Sequence, residues 1–350
     1  MWDGNQLVVT ELDVRDPGPG EVQVRVLASG ICHSDLNVME GMRGPKTPVV
    51  VGHEGAGVVH RLGEGVTNVA LGDPVVVGTL TPCGSCRACS AGRYTDCVSA
   101  FGQGATPFTW QGQPVRNYAN CSSFAGVITV QARQLVPAPG LDPKVAALIG
   151  CAVSTGYGVV RNVAQVREGD TVVVFGVGGI GVNALQTCRL QGAAQIVAVD
   201  VNADREEVAK RFGATAFVNV SSGDPVALIR EQVAAPIDAA IECSGAPPAI
   251  DAAIRVVDAG GVTALVGIPP AGARAQFDVY DLLRGRRIVG SLNGATDPQR
   301  DLPEIVRLAT NGTLDVASQV TAVWPLDQVD DAVAALRRGE VVRAVLDHER

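Results

Sequence analysis

The chain has 350 residues, 47% hydrophobic and 18% charged, which is enough apolar material for about two domains of ~100–200 residues and too much for a disordered chain. A formal charge of -8 excludes the basic footprint of a nucleic-acid binder, and no basic cluster marks a membrane surface. The longest apolar stretches, such as Val145 to Val160, are broken by Gly, Ser and Thr, short of the ~20 continuous apolar residues that a membrane span needs. The opening Met1-Trp2-Asp3-Gly4 has no basic flank followed by an apolar run, so no secretory leader is expected and the expected location is cytoplasmic.

Along the chain, Leu7 to Ala28 reads as strand. VVTELDV and EVQVRVLAS alternate around the turn signal DPGPG. Val49 to Val59 and Pro74 to Val77 read as further short strands among glycines, so this half is expected to be a mainly β, barrel-like module. From Thr171 the texture changes. TVVVF is a buried-strand run, followed by GVGGIG, the helical pattern VNALQTCRL and the strand QIVAVD. AFVNV, DAAIEC, VTALVG and RRIVGSL then alternate with helical stretches such as DREEVAKRFG and PAIDAAIRVV, which indicates a parallel, doubly wound sheet. After Asn293 the pattern gives the helices PEIVRLATNG and VDDAVAALRRGE and a closing strand, VVRAVLDH. The expected organisation is an α/β dinucleotide-binding domain at 153–292 inserted into a β-rich domain made of 1–152 and 293–350.

In the stretch Gly176-Val177-Gly178-Gly179-Ile180-Gly181, a G-x-G-x-x-G pattern follows TVVVF directly and opens a helix. The first glycine allows the tight turn, the second lets a pyrophosphate approach the backbone, and the third permits close helix–strand packing. The helix N-terminus then offers free N–H groups to the phosphates. Asp200 ends the next strand, where a carboxylate suits ribose hydroxyls and repels a 2′-phosphate, so NAD is expected rather than NADP. Arg205 is a candidate to flank the adenosine, with a solvated helix-face charge as its ordinary alternative.

Nine cysteines in a chain of this size do not read as a disulfide framework. Cys83-x2-Cys86-x2-Cys89-x7-Cys97 packs four of them together. Four thiolates on one tetrahedral zinc leave no open position, which makes a closed, structural site. Free core cysteines are the alternative, disfavoured because CGSCRAC has no apolar surroundings and exposed thiols oxidise. A second set is dispersed: Cys32 in GICHSD, His53-Glu54 in GHEGAG and Cys151 in IGCAVSTGYG. Two sulfurs and one nitrogen would leave a zinc with an open fourth position, the arrangement of a catalytic site. Spacing alone does not bring these three together, and each has an ordinary alternative as a core residue.

GICHSDLNV, VVGHEGAGVV, PCGSCRACSAGRYTDC, GCAVSTGYG and VVVFGVGGIGVNALQ together resemble the zinc-dependent medium-chain alcohol dehydrogenases, in order and spacing, over almost the whole chain. SSFAGVITV and GEVVRAVL suggest the branch with class III-like and actinobacterial enzymes. The resemblance implies a Rossmann domain inserted into a GroES-like catalytic domain, with the site in the cleft between them. It implies two zinc ions per chain, NAD as cofactor and a small alcohol, or an aldehyde in reverse, as substrate. Cys32, His53 and Cys151 match the catalytic zinc ligands. Glu54 matches a carboxylate behind the metal, Asp35 the acid that orients His53, and Ser34 the hydroxyl that bonds the substrate oxygen and takes its proton. His33 and Arg343 match positions near the cofactor pyrophosphate, and Thr155 one beside the nicotinamide. Leu80 and Phe124 match the lining of the substrate channel. Ile268 is a further candidate there, grouped with the cofactor residues.

The chain departs from the family pattern in three places. It starts late, so an N-terminal strand is expected to be short or missing. Leu80 replaces the usual aromatic near the zinc, which widens the pocket. Asn37 stands where many relatives carry a proton-relaying histidine, which puts the usual proton exit in doubt. The resemblance also implies a homodimer joined through the last sheet strand, near Arg287 to Leu292, with a tetramer as the alternative. Rival readings are a thiol-adduct formaldehyde dehydrogenase, an enone or iminium reductase of the same family, a zinc-free quinone reductase, and a non-enzymatic zinc-binding interaction protein.

Overall fold

The alternation in EVQVRVLASGI becomes the strand Glu21–Ile31, which buries Val22, Val24 and Val26 against a valine-rich core. One edge of this strand pairs with Glu54–Leu62 along most of its length. The other edge is shared by Val127–Gln131 at its start and Arg343–Asp347 at its end. The end of the chain is thereby drawn to the segment that carries Cys32. The computed structural model describes residues 1–42, 46–102 and 106–349, and its contacts divide the chain into two units, Met1–Ala152 with Asp297–Arg350, and Val153–Thr296.

In the first unit, the strands Pro74–Val77 and Leu135–Pro137 extend the sheet beyond Glu54–Leu62, and Val320–Pro325 closes its far side against Arg343–Asp347. Val320–Pro325 was not expected. It runs parallel to Arg343–Asp347 through the crossover helix Val329–Arg337, and its residues are only partly buried, which mutes the alternation that betrays a strand. Near the start, only Asp13–Val14 of the expected VVTELDV strand pairs, with Phe108–Trp110; Val9 is left exposed. A small sheet of Asp13–Val14, Phe108–Trp110, Gln113–Asn117 and Val49–Val50 lies beside the main one.

In the second unit, TVVVF forms the strand Thr171–Phe175, buried on both faces as a parallel strand covered by helices requires. Among the described residues the sheet has the order Ala216–Asn219, Gln195–Asp200, Thr171–Phe175, Ala239–Glu242, Val262–Leu265, Arg287–Gly290, every pairing parallel. The strand order reverses between Thr171–Phe175 and Ala239–Glu242. This unit runs to Thr296, past the expected boundary at 292, because Asn293–Ala295 packs onto its helices. A Cβ on Gly158 would lie 2.3 Å from the Gly294 carbonyl oxygen. No single helix among the described residues is long and apolar enough to cross a membrane.

Candidate functional site

The helix His33–Met39 begins where the strand Glu21–Ile31 ends, with Cys32 as its N-cap. Asp35, fully buried, organises what surrounds it. One carboxylate oxygen accepts from the Cys32 amide at 3.0 Å; the other accepts from the Gly52 amide at 3.0 Å and lies 2.9 Å from His53 Nδ1. A carboxylate only accepts, so Nδ1 carries the proton and Nε2 is left for a ligand. Burial works against charge on His53, but Asp35, by charge and hydrogen bond, and then Cys32 carry its pKa well above the ordinary value. The ligating atoms of Cys32, His53 and Cys151 lie within 4.8 Å of one another. Ser34 Oγ lies 3.8 Å from Cys32 Sγ, and His33 points to solvent on the same turn. Asn37 is half-buried one turn further along the helix.

Glu54 opens its strand opposite Gly30, and the absence of a side chain there makes room for it: a Cβ on Gly30 would lie 2.0 Å from Glu54 Oε2. Glu54 accepts from the Ala152 amide at 3.0 Å and pairs with Arg343. Burial pushes its pKa up to about 7, with Arg343 pulling the other way. Arg343, expected near a pyrophosphate, is 4% exposed and bound to Glu54, its Nε without a hydrogen-bond partner. The sheet explains this position, because Val345 and Glu54 both register against Gly30.

Cys83, Cys86, Cys89 and Cys97 gather in a small lobe with Leu80, Ala100 and Tyr94. Their sulfurs stand 3.9 Å apart for Cys83 and Cys89, and 3.6 Å for Cys86 and Cys89. Four sulfurs at ~2.3 Å from one zinc would be about 3.8 Å apart, so the quartet fits that ion. Backbone amides assist. The Cys86 N–H donates to Cys83 Sγ at 3.3 Å and the Cys83 N–H to Cys97 Sγ at 3.4 Å. Amides of Ser85 and Cys86 draw the Cys83 thiol down to about 6, whereas burial pushes Cys89 up to about 11. The dispersed trio, with two sulfurs and a histidine nitrogen oriented by a buried acid, fits zinc as well.

Leu80, expected in the substrate channel, packs into this lobe at 2% exposure. Phe124, expected there too, sits in the core with Ile31, Val51 and Val329. Tyr118, which no motif marks, adjoins His53. The ring of Tyr118 stands edge-on to His53, centroids 5.3 Å apart, and its hydroxyl donates to the Ser34 carbonyl at 3.1 Å. Tyr118 leads into a loop with three non-glycine residues in the left-handed region, Ala119, Asn120 and Ser122 at φ 48, 58 and 56°. Such strain persists only where the surroundings enforce it. Here Asn120 Nδ2 faces Thr79 O at 3.2 Å, Thr81 Oγ1 at 2.9 Å and Ala100 O at 3.1 Å, which ties the loop to the cysteine lobe. No periodicity or spacing signals such a residue.

In the second unit, the glycine stretch turns at Gly176 (φ 90°) and caps the helix Gly179–Leu190 with Gly178; Ile180 lies half-buried in its first turn. A Cβ on Gly181 would lie 1.8 Å from the Gly176 carbonyl oxygen, so this close packing requires glycine. Asp200 Oδ2 accepts from the Val177 amide at 2.7 Å, which holds the carboxylate beside the loop. Arg205 opens the helix Arg205–Arg211 just beyond it. Thr155 is buried in this unit, and Ile268 is exposed after the strand Val262–Leu265.

Residues 18–140 match the model of the alcohol dehydrogenase GroES-like domain, and residues 179–311 that of the zinc-binding dehydrogenase family. The S-(hydroxymethyl)glutathione dehydrogenase of Escherichia coli O1:K1 / APEC is 35% identical over 356 residues, covering 98% of this chain and 96% of that protein. The solved benzyl alcohol dehydrogenase of Acinetobacter calcoaceticus superposes with a TM-score of 0.92 at 32% identity, covering 99% of this chain and 96% of that one. A zinc-binding dehydrogenase of Sinorhizobium meliloti 1021, solved with NADP, superposes with a TM-score of 0.81 at 27% identity, covering 95% and 94%. With a GroES-like first unit, a Rossmann second unit and this similarity along its length, the chain belongs to the zinc-dependent medium-chain alcohol dehydrogenase family.

Proposed function

We propose that this enzyme oxidises a small alcohol, or reduces the corresponding aldehyde, with NAD(H) and two zinc ions per chain. The observation that carries the reading is the convergence of Cys32, His53 and Cys151, with Asp35 behind His53 and Ser34 beside Cys32. Those three residues would hold the catalytic ion, and the cysteine quartet a second one. When bound, zinc supplies Lewis acidity toward the substrate oxygen and the nicotinamide takes or gives hydride. The chain's own part is orientation and proton handling. Asp35 fixes the His53 tautomer, and Tyr118 braces both His53 and the Ser34 backbone. Ser34 Oγ would receive the alcohol proton as it passes its own hydroxyl proton on towards the cofactor ribose. Glu54 and Arg343 pair behind the ligands. Asn37 cannot titrate, so the proton leaves without a histidine at that position.

Asp200 supports NAD over NADP. Its carboxylate, anchored on the Val177 amide, suits a ribose diol and repels a phosphate. A homodimer is supported by the edge strand Arg287–Gly290, where Val289 and Leu292 are exposed close in sequence to Tyr280 and Leu283. Six of the nine cysteines fall in the two metal-ligand sets rather than in disulfides, which supports a reducing compartment, the cytoplasm. Activity on a thiol adduct of formaldehyde is the second reading, favoured by the named Escherichia coli relative. A panel of aliphatic alcohols, benzyl alcohol, and formaldehyde with and without glutathione, read by NADH and NADPH absorbance, decides. NADH formation from free alcohols is expected. Turnover only with glutathione selects the second reading, and equal efficiency with both cofactors contradicts the role of Asp200.

A further inference from the structure

The carboxyl edge of the parallel sheet holds an ionisable side chain that the proposed reaction leaves unused. Glu242 ends the strand Ala239–Glu242, opposite Phe175, and is fully buried. Its carboxylate is held by donors from the next turn. Oε1 accepts from the Ser244 amide at 2.8 Å, the Ser244 hydroxyl at 2.5 Å and the Gly245 amide at 3.0 Å, and Oε2 lies 3.1 Å from that same amide. Burial raises the pKa of this group against those donors, and no arginine or lysine is among what acts on it. A buried carboxylate without a cation is costly, and simple packing would be served by an apolar side chain.

We infer that Glu242 is a positioning residue for the dinucleotide, locking the Ser244–Gly245 turn against which the phosphate loop rests. On one side, Gly176 backs onto this turn so closely that a Cβ would lie 3.2 Å from Ser244 Cβ. On the other, Gly267 approaches until a Cβ would lie 2.1 Å from the Gly245 nitrogen and 2.8 Å from Glu242 Oε2. The loops after Phe175 and Leu265 therefore close on the turn that this carboxylate holds. They do so where the strand order reverses, the place at which open α/β sheets bind ligands beyond the carboxyl ends of their strands. Glu242 acts through the turn and needs no contact with the cofactor. The inference rests on the proposed nicotinamide dinucleotide as ligand.

The test is Glu242→Gln, close in shape but with an NH2 donor in place of one of the two acceptor oxygens that face the Gly245 amide. NADH and NADPH are titrated by fluorescence into the zinc-loaded protein, alongside steady-state kinetics. The expected result is a Kd for NADH raised by about tenfold, with the KM for NAD rising in step and kcat at saturating cofactor within about twofold. A folded variant that binds NADH as the parent does overturns the inference. So does a loss shared equally by the KM for alcohol, which marks a general structural defect. Parent protein that binds neither cofactor overturns the dinucleotide reading, and this inference with it. Hydrogen exchange on the unsubstituted protein without cofactor supplies a measurement that needs no variant. The amides of Ser244 and Gly245 are expected to exchange as slowly as that of Val173, and fast exchange at the turn defeats the lock.

Discussion

Cys83, Cys86, Cys89 and Cys97 come from one short stretch, whereas Cys32, His53 and Cys151 come from separate elements joined only by the sheet. The quartet is supported locally, by amides of its own loop and a small cluster with Leu80 and Ala100. The trio is supported from a distance. Asp35 reaches across to His53, and Glu54 to Arg343, between segments far apart in sequence. A cluster built from its own loop needs its ion in order to fold. A cluster assembled by a sheet keeps its shape whether or not the ion is present, and so can leave one position for chemistry.

Removing one ligand from each site puts that contrast under the greatest strain. Cys151→Ser should lower kcat/KM for alcohol by about a thousandfold, the scale of a lost Lewis acid, with the melting temperature nearly unchanged. Cys89→Ser should do the reverse, lowering the melting temperature by about 5–10 °C while activity per folded molecule stays within about threefold. Metal analysis should find one zinc lost in each. A Cys89→Ser protein that melts like the parent would break the contrast.

Asp35→Asn sharpens it within the trio. An amide still fills the space but can present its NH2 to His53 or to a backbone amide, so metal affinity and activity should fall by about 10–100-fold. Competition with a chelator gives the affinity. An unchanged chelator midpoint would mean that the ligands alone orient His53.

Acid probes the buried side without touching a ligand. His348 follows the strand Arg343–Asp347, with Nε2 3.0 Å from Ser29 Oγ and Nδ1 buried without a partner. Burial pushes its pKa down from 6.5 to about 4. The unfolded chain then takes the proton first, so this stability is complete above pH 6.5 and is lost as pH falls through 4, about 3 kcal/mol in all. Urea melts of His348→Gln should show a flatter pH dependence across that window. A slope equal to the parent's would assign acid sensitivity elsewhere.

Legibility followed the same division. The quartet and the glycine stretch could be read because their chemistry lies in consecutive residues, and spacing is all that such motifs need. The trio was reached only through family resemblance, since nothing in the chain says that position 32 meets position 151. The pairing of Arg343 with Glu54 was hidden for the same reason: it is set by two strands meeting at Gly30. Tyr118 went unseen because its role depends on a loop held in left-handed turns by side-chain bonds. Val320–Pro325 was missed because a half-exposed strand carries weak alternation.

The buried Asn120 amide faces three oxygens with two hydrogens. Hydrolysis of that one group to a carboxylate changes the mass by about one dalton and leaves the shape intact, yet sets an acceptor against the Thr79 and Ala100 carbonyls and leaves only the Thr81 hydroxyl able to turn and donate. The most conservative replacement in outline is thus the most damaging in polarity. In stored protein, chemical ageing at this one amide would loosen the cysteine lobe from Tyr118 while both sets of metal ligands stayed chemically whole.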